Sequence, residues 1–164
     1  MSKEEIFKQY GGRVRIRVCG ILVEGDSILL VKHKNLGNQQ GIWMPPGGGV
    51  EFGQSLSENL KREFLEETGL FVKVCDFLFA SEFLQHPLHA IELFFKVELK
   101  KGTIKVGVDP EVGEAQQIIE AVRMMDFKEI NGMNKELLHG IFQNCNSIKE
   151  LLNPNGFFNF ENNL

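Results

Sequence analysis

Gly47-Gly48-Gly49-Val50-Glu51-Phe52-Gly53-Gln54 runs directly into Ser55-Leu56-Ser57-Glu58-Asn59-Leu60-Lys61-Arg62-Glu63-Phe64-Leu65-Glu66-Glu67-Thr68-Gly69-Leu70. This junction of a glycine-rich segment with an acidic helix decides the reading of the chain. Ser55 with Glu58 three residues on is a capping box, in which each side chain satisfies a free backbone N–H of the other. Gly69 stands just past the end, where a helix stops in the left-handed conformation that glycine adopts most readily. Between them Leu56, Leu60 and Phe64 recur every four residues and form one apolar edge. The spacing therefore predicts a helix over 55–68. At about 100° per residue, Glu63, Glu66 and Glu67 fall within an arc of roughly 100°. Glu63 and Glu67 are a like-charge i,i+4 pair, which costs roughly a few tenths of a kcal/mol on an ordinary helix. They also sit near the end where the helix dipole prefers cations. A divalent cation reverses both penalties, since hard cations take carboxylate, water and phosphate oxygens. The alternative for the helix alone is a solvated acidic face, with Arg62 neutralising Glu58 or Glu66. The glycines favour the first reading, because they permit the close backbone approach that a metal–phosphate site requires.

Outward from this segment the pattern is mostly that of strands. Val14, Ile16 and Val18 alternate with Arg13, Arg15 and Arg17, a period of two that predicts a half-buried strand continuing through Ile21-Leu22-Val23. Glu24-Gly25-Asp26 supplies a turn, and Ser27 to Lys32 returns as the second arm of a hairpin. Residues 34–49 read as a loop with one large anchor, Trp43. After the helix, Phe71 to Phe83 and Ala90 to Leu99 read as strands. Residues 102–114 hold four Gly or Pro residues and read as a surface loop that carries Glu111 and Glu114. Gln117 to Met125 is expected to be a strand, and Lys135 to Phe142 and Ser147 to Leu152 helices. Residues 1–12 form a leader, 13–152 one domain, and 153–164 a tail whose Phe157, Phe158 and Phe160 are either a clasp over the core or the contact of a homodimer. Strands before and after a central helix predict an α/β or α+β sandwich around a mixed sheet.

The composition narrows the function. The chain has 164 residues, 43% hydrophobic and 24% charged, with net charge −4. That suffices for one core without staples. No apolar run approaches the roughly 18–20 residues that span a bilayer, so no membrane partner is expected, and the start lacks the charge and apolar pattern of a signal peptide. Cys19, Cys75 and Cys145 form no CxxC pair. Such sparse cysteines fit a reduced, cytoplasmic protein, with Cys19 and Cys75 as small core residues. The acidic balance argues against a nucleic-acid partner.

The segment resembles the signature of the Nudix hydrolases, G-x5-E-x7-R-E-U-x-E-E-x-G-U, where U is a bulky apolar residue. Gly48 matches the first position, Arg62-Glu63 the RE pair, Phe64 the apolar position, Glu66-Glu67 the EE pair, and Gly69-Leu70 the end. Trp43-Met44-Pro45-Pro46-Gly47 is similar to the usual W-x-x-P-G entry, and the resemblance covers about residues 13–143. It implies an α/β/α sandwich with a central mixed sheet. It also implies a pyrophosphohydrolase that uses Mg²⁺ or Mn²⁺ to cleave a small nucleotide: a nucleoside triphosphate, ADP-ribose or a nucleotide sugar. Carried over residue by residue, Glu63 and Glu67 are metal ligands, Glu66 is a ligand or supports one, the Gly47 carbonyl completes the shell, and Arg62 orients the glutamates. The general base is either Glu63 or a later loop glutamate, for which Glu111 and Glu114 are candidates by position; both read otherwise as solvated loop charges. Arg15 and Arg17 either contact substrate phosphates or lie on a solvated strand face. Trp43 either stacks on a base or anchors its loop. One position departs from the signature: Gln54 stands where a glutamate is usual, and a glutamate restored there is expected to strengthen metal binding modestly. The rival reading is a Nudix-fold module that binds nucleotides without hydrolysing them.

Overall fold

The computed structural model describes residues 7, 11–34, 40–86, 88–107, 118–143, 145–153 and 158–159. Its strands are β1 (Arg15–Glu24), β2 (Ser27–His33), β3 (Ile42–Met44), β4 (Gly47–Gly49), β5 (Leu70–Gln85), β6 (Leu88–Gly102), β7 (Ile119–Asp126) and β8 (Phe158–Asn159). The helices are α1 (Leu56–Thr68), α2 (Phe127–Gly132) and α3 (Ile148–Leu152). The sheet order is β3-β2-β1-β6-β5-β8, with β4 also on β1 and β7 also on β2. β1 runs parallel to β6 and antiparallel to β2 and β4, so the sheet is mixed as expected.

Alternation along β1 builds two cores. Val18 and Leu22 face α1 and pack with Leu60, Phe64 and Val97. Cys19 and Ile21 face the other way and pack with Trp43, Phe94, Leu138 and Phe142. Gly20 is required because a Cβ there would strike the Phe64 ring. The hairpin closes with Glu24 opposite Ser27, leaving Gly25-Asp26 as a two-residue loop, with Gly25 at φ 59°. The Ser55–Glu58 capping box forms in both directions, and Gly69 ends α1 at φ 73°. Leu56, expected on the apolar edge, is instead exposed.

The structure departs from the sequence reading at further points. Val14 and Ile16 are 52% and 42% exposed, whereas Arg17 points inward. Only the start of β1 shows a period of two in burial, with Ile16 exposed and Arg17 turned inward; from Val18 to Leu22 both faces are buried. Residues 42–44 and 47–49, read as loop, are strands, and β4 pairs in register with β1 as Arg17↔Gly49, Val18↔Gly48 and Cys19↔Gly47. Lys135 to Phe142 is not one helix but two 3-10 turns, 135–137 and 140–142. Between them Leu138 is extended and bridges Trp43, and the His139 N–H donates to the Trp43 carbonyl at 2.8 Å. Helix α2, not expected, starts where Asp126 accepts the Glu129 N–H at 2.7 Å. Cys75 is only half-buried, beside the irregular register of β5 between Val74 and Phe77, while Cys19 is a core residue as expected. The backbone of Phe158 and Asn159 adds to β5; Phe157, Phe160, most of the leader and residues 108–117 lie outside the described residues.

Candidate active site

Asn59, Glu63 and Glu67 follow one another at i,i+4 spacing, so they form one stripe along α1. The glycine strand β4 lies against that stripe. A Cβ on Gly48 would fall on the Glu63 carboxyl group, and one on Gly47, at φ 150°, would strike the Val18 carbonyl. Only glycine therefore lets β4 fit between β1 and the helix. Asn59 joins the two: its amide donates to the Gly49 carbonyl at 3.1 Å, and its oxygen accepts the Glu51 N–H at 3.1 Å and Arg62 at 3.2 Å. Glu67 is buried, with one oxygen accepting the Gly47 N–H at 2.9 Å and the other 3.3 Å from His33 Nε2. Among the described residues neither ring nitrogen of the buried His33 makes an aligned hydrogen bond, so its contact with Glu67 is one of proximity.

Charge is concentrated on both sides of β4. Burial and the neighbouring Glu67 push the Glu63 carboxyl up to about 7. Arg62 reaches Glu66 at 2.7 Å, Glu63 at 2.8 Å and Glu51 at 3.1 Å. Burial alone would weaken its proton affinity, but those three carboxylates outweigh it. The Gln54 side-chain amide donates to Glu51, so a glutamate at 54 would set two carboxylates face to face. On the other side, Arg17 Nη2 donates to the Gly47 carbonyl at 3.2 Å, its Nε lies 3.4 Å from Glu92, and the second Glu92 oxygen is 2.9 Å from His139 Nε2. Burial pushes the Glu92 carboxyl up, yet His139 and Arg17 outweigh it and hold it below the usual carboxylate range.

Of the expected residues, Gly47, Glu63 and Glu67 come together, with Glu66 beside them on Arg62. Arg15 lies over Gly49, and Arg17 reaches Gly47. Trp43 is 7% exposed, under the Arg123 guanidinium at 5.1 Å, so packing anchor describes it better than base platform. Glu111 and Glu114 lie outside the described residues. Asn59, His33, Glu92 and His139 were not singled out from the sequence. Asn59 shares the spacing of Glu63 and Glu67, and Glu92 is the lone charge in the apolar run Ala90 to Phe95; both signals are legible. Nothing local marks His33 or His139.

The donors near β4 suit a hard cation: the Glu63 and Glu67 carboxylates and the Gly47 carbonyl are all oxygen, and a cation would relieve the repulsion that raises Glu63. Among the described residues no three His, Cys, Asp or Glu side chains surround a single point. Mg²⁺ is commonly held by one or two carboxylates, with water and substrate phosphates in the remaining positions.

The model of the NUDIX domain matches residues 13–143. The chain belongs to the Nudix family. It is 36% identical over 101 residues to a protein of Methanocaldococcus jannaschii named ADP-ribose pyrophosphatase, covering 60% of this chain and 59% of that one. A Nudix hydrolase of Bacillus subtilis, YvcI, is 34% identical over 58 residues, covering 35% of this chain and 34% of that one. The chain thus spans less than two thirds of either relative. Among solved structures, the MutT protein of Methanosarcina mazei Go1 superposes with TM-score 0.63 at 25% identity, covering 79% of this chain and 88% of that one. An ADP-ribose pyrophosphatase of Streptococcus suis superposes with TM-score 0.60 at 18% identity, covering 88% and 98%, which speaks for the fold alone. The Nudix box is the junction of β4 and α1. No described helix is long and apolar enough to cross a membrane.

Proposed function

We propose that this Nudix domain, residues 13–152, is a divalent-cation-dependent pyrophosphohydrolase acting on a nucleoside diphosphate linked to another moiety. The observation that carries the reading is the stripe Asn59–Glu63–Glu67 locked against β4, with the Gly47 amide bound to Glu67. Setting the buried Glu67 beside the half-buried Glu63 is costly for a structural role alone. Glu63, Glu67 and the Gly47 carbonyl would hold Mg²⁺ or Mn²⁺, which supplies charge neutralisation of the pyrophosphate and a more acidic attacking water. Arg62 ties Glu63, which lies against Gly48, to Glu66 through its forked contacts. Arg15 lies beside Gly49, and its guanidinium would suit a substrate phosphate. Water attacks one phosphorus, the bridging P–O bond breaks, and the products are a nucleoside monophosphate and a phosphorylated remainder. The M. jannaschii relative's name makes ADP-ribose the first substrate to try. The three free cysteines support a reducing, cytoplasmic setting.

The test is a panel of ADP-ribose, nucleotide sugars, nucleoside triphosphates and dinucleoside polyphosphates, each incubated with Mg²⁺ or Mn²⁺ and separated by chromatography. Cleavage of at least one to a nucleoside monophosphate is expected. Binding without cleavage across the panel would favour a non-catalytic module.

A further inference from the structure

The Gly47 carbonyl, the one backbone oxygen of the proposed metal site, already has a cation on it: Arg17 Nη2 donates to it at 3.2 Å. Arg17 is inward-facing, its side chain 18% exposed, and Glu92, itself 4% exposed, holds its other edge at 3.4 Å. Glu92 is in turn fixed by His139 at 2.9 Å. Burying an arginine and a glutamate side by side on β1 and β6 is expensive unless both are satisfied. Glu92 balances the charge of Arg17, but Arg17 Nε makes no aligned hydrogen bond among the described residues, whereas Nη2 does so to the Gly47 carbonyl.

We infer that Arg17 is a built-in competitor for the metal, a positioning residue that keeps the Gly47 carbonyl aimed at the cation position and must release it for Mg²⁺ or Mn²⁺ to bind. The inference rests on the proposed reading of Gly47, Glu63 and Glu67 as ligands. With Arg17 on the carbonyl, β4 keeps its orientation without metal, and a bare cation binds more weakly than the carboxylates alone would allow. When the carbonyl is taken by metal, Arg17 keeps its anchor on Glu92, and its freed N–H donors turn toward the cleft. A substrate phosphate is the group best suited to accept them.

The experiment is Mn²⁺ binding without nucleotide, followed by electron paramagnetic resonance, on the full chain, Arg17→Gln and the charge-balanced pair Arg17→Gln/Glu92→Gln. Arg17→Gln should bind Mn²⁺ about tenfold more tightly, the scale of one charge-assisted hydrogen bond removed from competition. The double variant, whose net charge equals that of the native chain, should keep most of that gain. No tightening in Arg17→Gln, or a double variant returned to the native dissociation constant, overturns the inference; the latter result would mean a change of field and not a vacated ligand. Circular dichroism checks that each variant folds. A measurement on the native chain stands in if one does not: on Mg²⁺ titration, the Gly47 carbonyl ¹³C and Arg17 Nε signals should move with one midpoint, and movement of Gly47 alone overturns the inference. Native protein that cleaves the nucleotide panel while failing these tests loses this inference only. Native protein that neither binds Mn²⁺ nor cleaves anything loses the proposed function with it.

Discussion

At the scale of single residues, Glu67 carries both the fold and the proposed chemistry. One of its oxygens takes the Gly47 amide and the other faces His33, so its carboxylate is oriented before any cation arrives. Glu67→Gln keeps an oxygen for Gly47 and loses the charge. It should lower kcat/KM by on the order of 100-fold or more, as expected for removing one preorganised group at the reacting charge, with the melting temperature changed by no more than a few degrees. Steady-state kinetics beside a thermal melt separates the two effects, and near-native turnover would remove Glu67 from the site. Gln54 carries a second prediction. Its amide donates to Glu51, which also meets Arg62, so Gln54→Glu should loosen the Arg62 fork and leave Mn²⁺ affinity unchanged or weaker. A Mn²⁺ titration of that variant reads the sign. The grouping of Glu63, Glu66 and Glu67 on one arc was legible from spacing, while the part given to Gly47 came from the resemblance to the Nudix signature. Their partners His33 and His139 were not, because each meets its carboxylate across a large gap in sequence that no local pattern encodes.

At the scale of elements, α1 and the β1–β2 hairpin could be read because local signals agreed: a capping box, a C-terminal glycine, a two-residue turn. β4 could not, since three glycines have no strand propensity of their own and take strand form only through the ladder with β1. Helix α2 could have been read from Asp126 and Glu129. The break at Leu138 could not, because it depends on pairing with Trp43. The inward turn of Arg17 lay beyond periodicity for a related reason: alternation tells which residues share a face, not which face is buried, and β1 is covered on both faces from Val18 to Leu22, with Glu92 and the Gly47 carbonyl receiving the arginine. The Glu92 pairing gives a pH prediction. Its folded pKa is depressed, so its contribution is present above the ordinary carboxylate pKa and is lost as pH falls through the folded value. Glu92→Gln should therefore be less stable than the native chain by about 3 kcal/mol at neutral pH, the scale of breaking a buried pair. That gap should narrow as the solution is acidified below the carboxylate range. Urea unfolding at a series of pH values checks it; a gap that is constant with pH would show that Glu92 acts by shape and not by charge. Gly48→Ala, which drives a methyl group into the Glu63 carboxyl, should cost about 1–3 kcal/mol and most of the activity, read by the same melts and assays.

At the scale of the whole molecule, β1 is pinned from both faces: Val18, Gly20 and Leu22 against α1, Cys19 and Ile21 against the Trp43–Phe142 cluster. The candidate site lies on β4 and α1, both of which rest on this strand, and its geometry is set by that packing before any ligand binds. A cation that binds only the folded form must then stabilise the whole domain. Mg²⁺ at about 100 times its dissociation constant should add about 2.7 kcal/mol, seen as a concentration-dependent rise in melting temperature that Glu67→Gln abolishes. The central claim, that this Nudix domain hydrolyses a nucleotide pyrophosphate with the help of a divalent cation, is met most directly by following AMP formation from ADP-ribose in Mg²⁺ before and after exhaustive chelation. The account predicts steady release of AMP and ribose phosphate that stops on chelation and returns when Mg²⁺ is restored. Undiminished AMP release after chelation would contradict it.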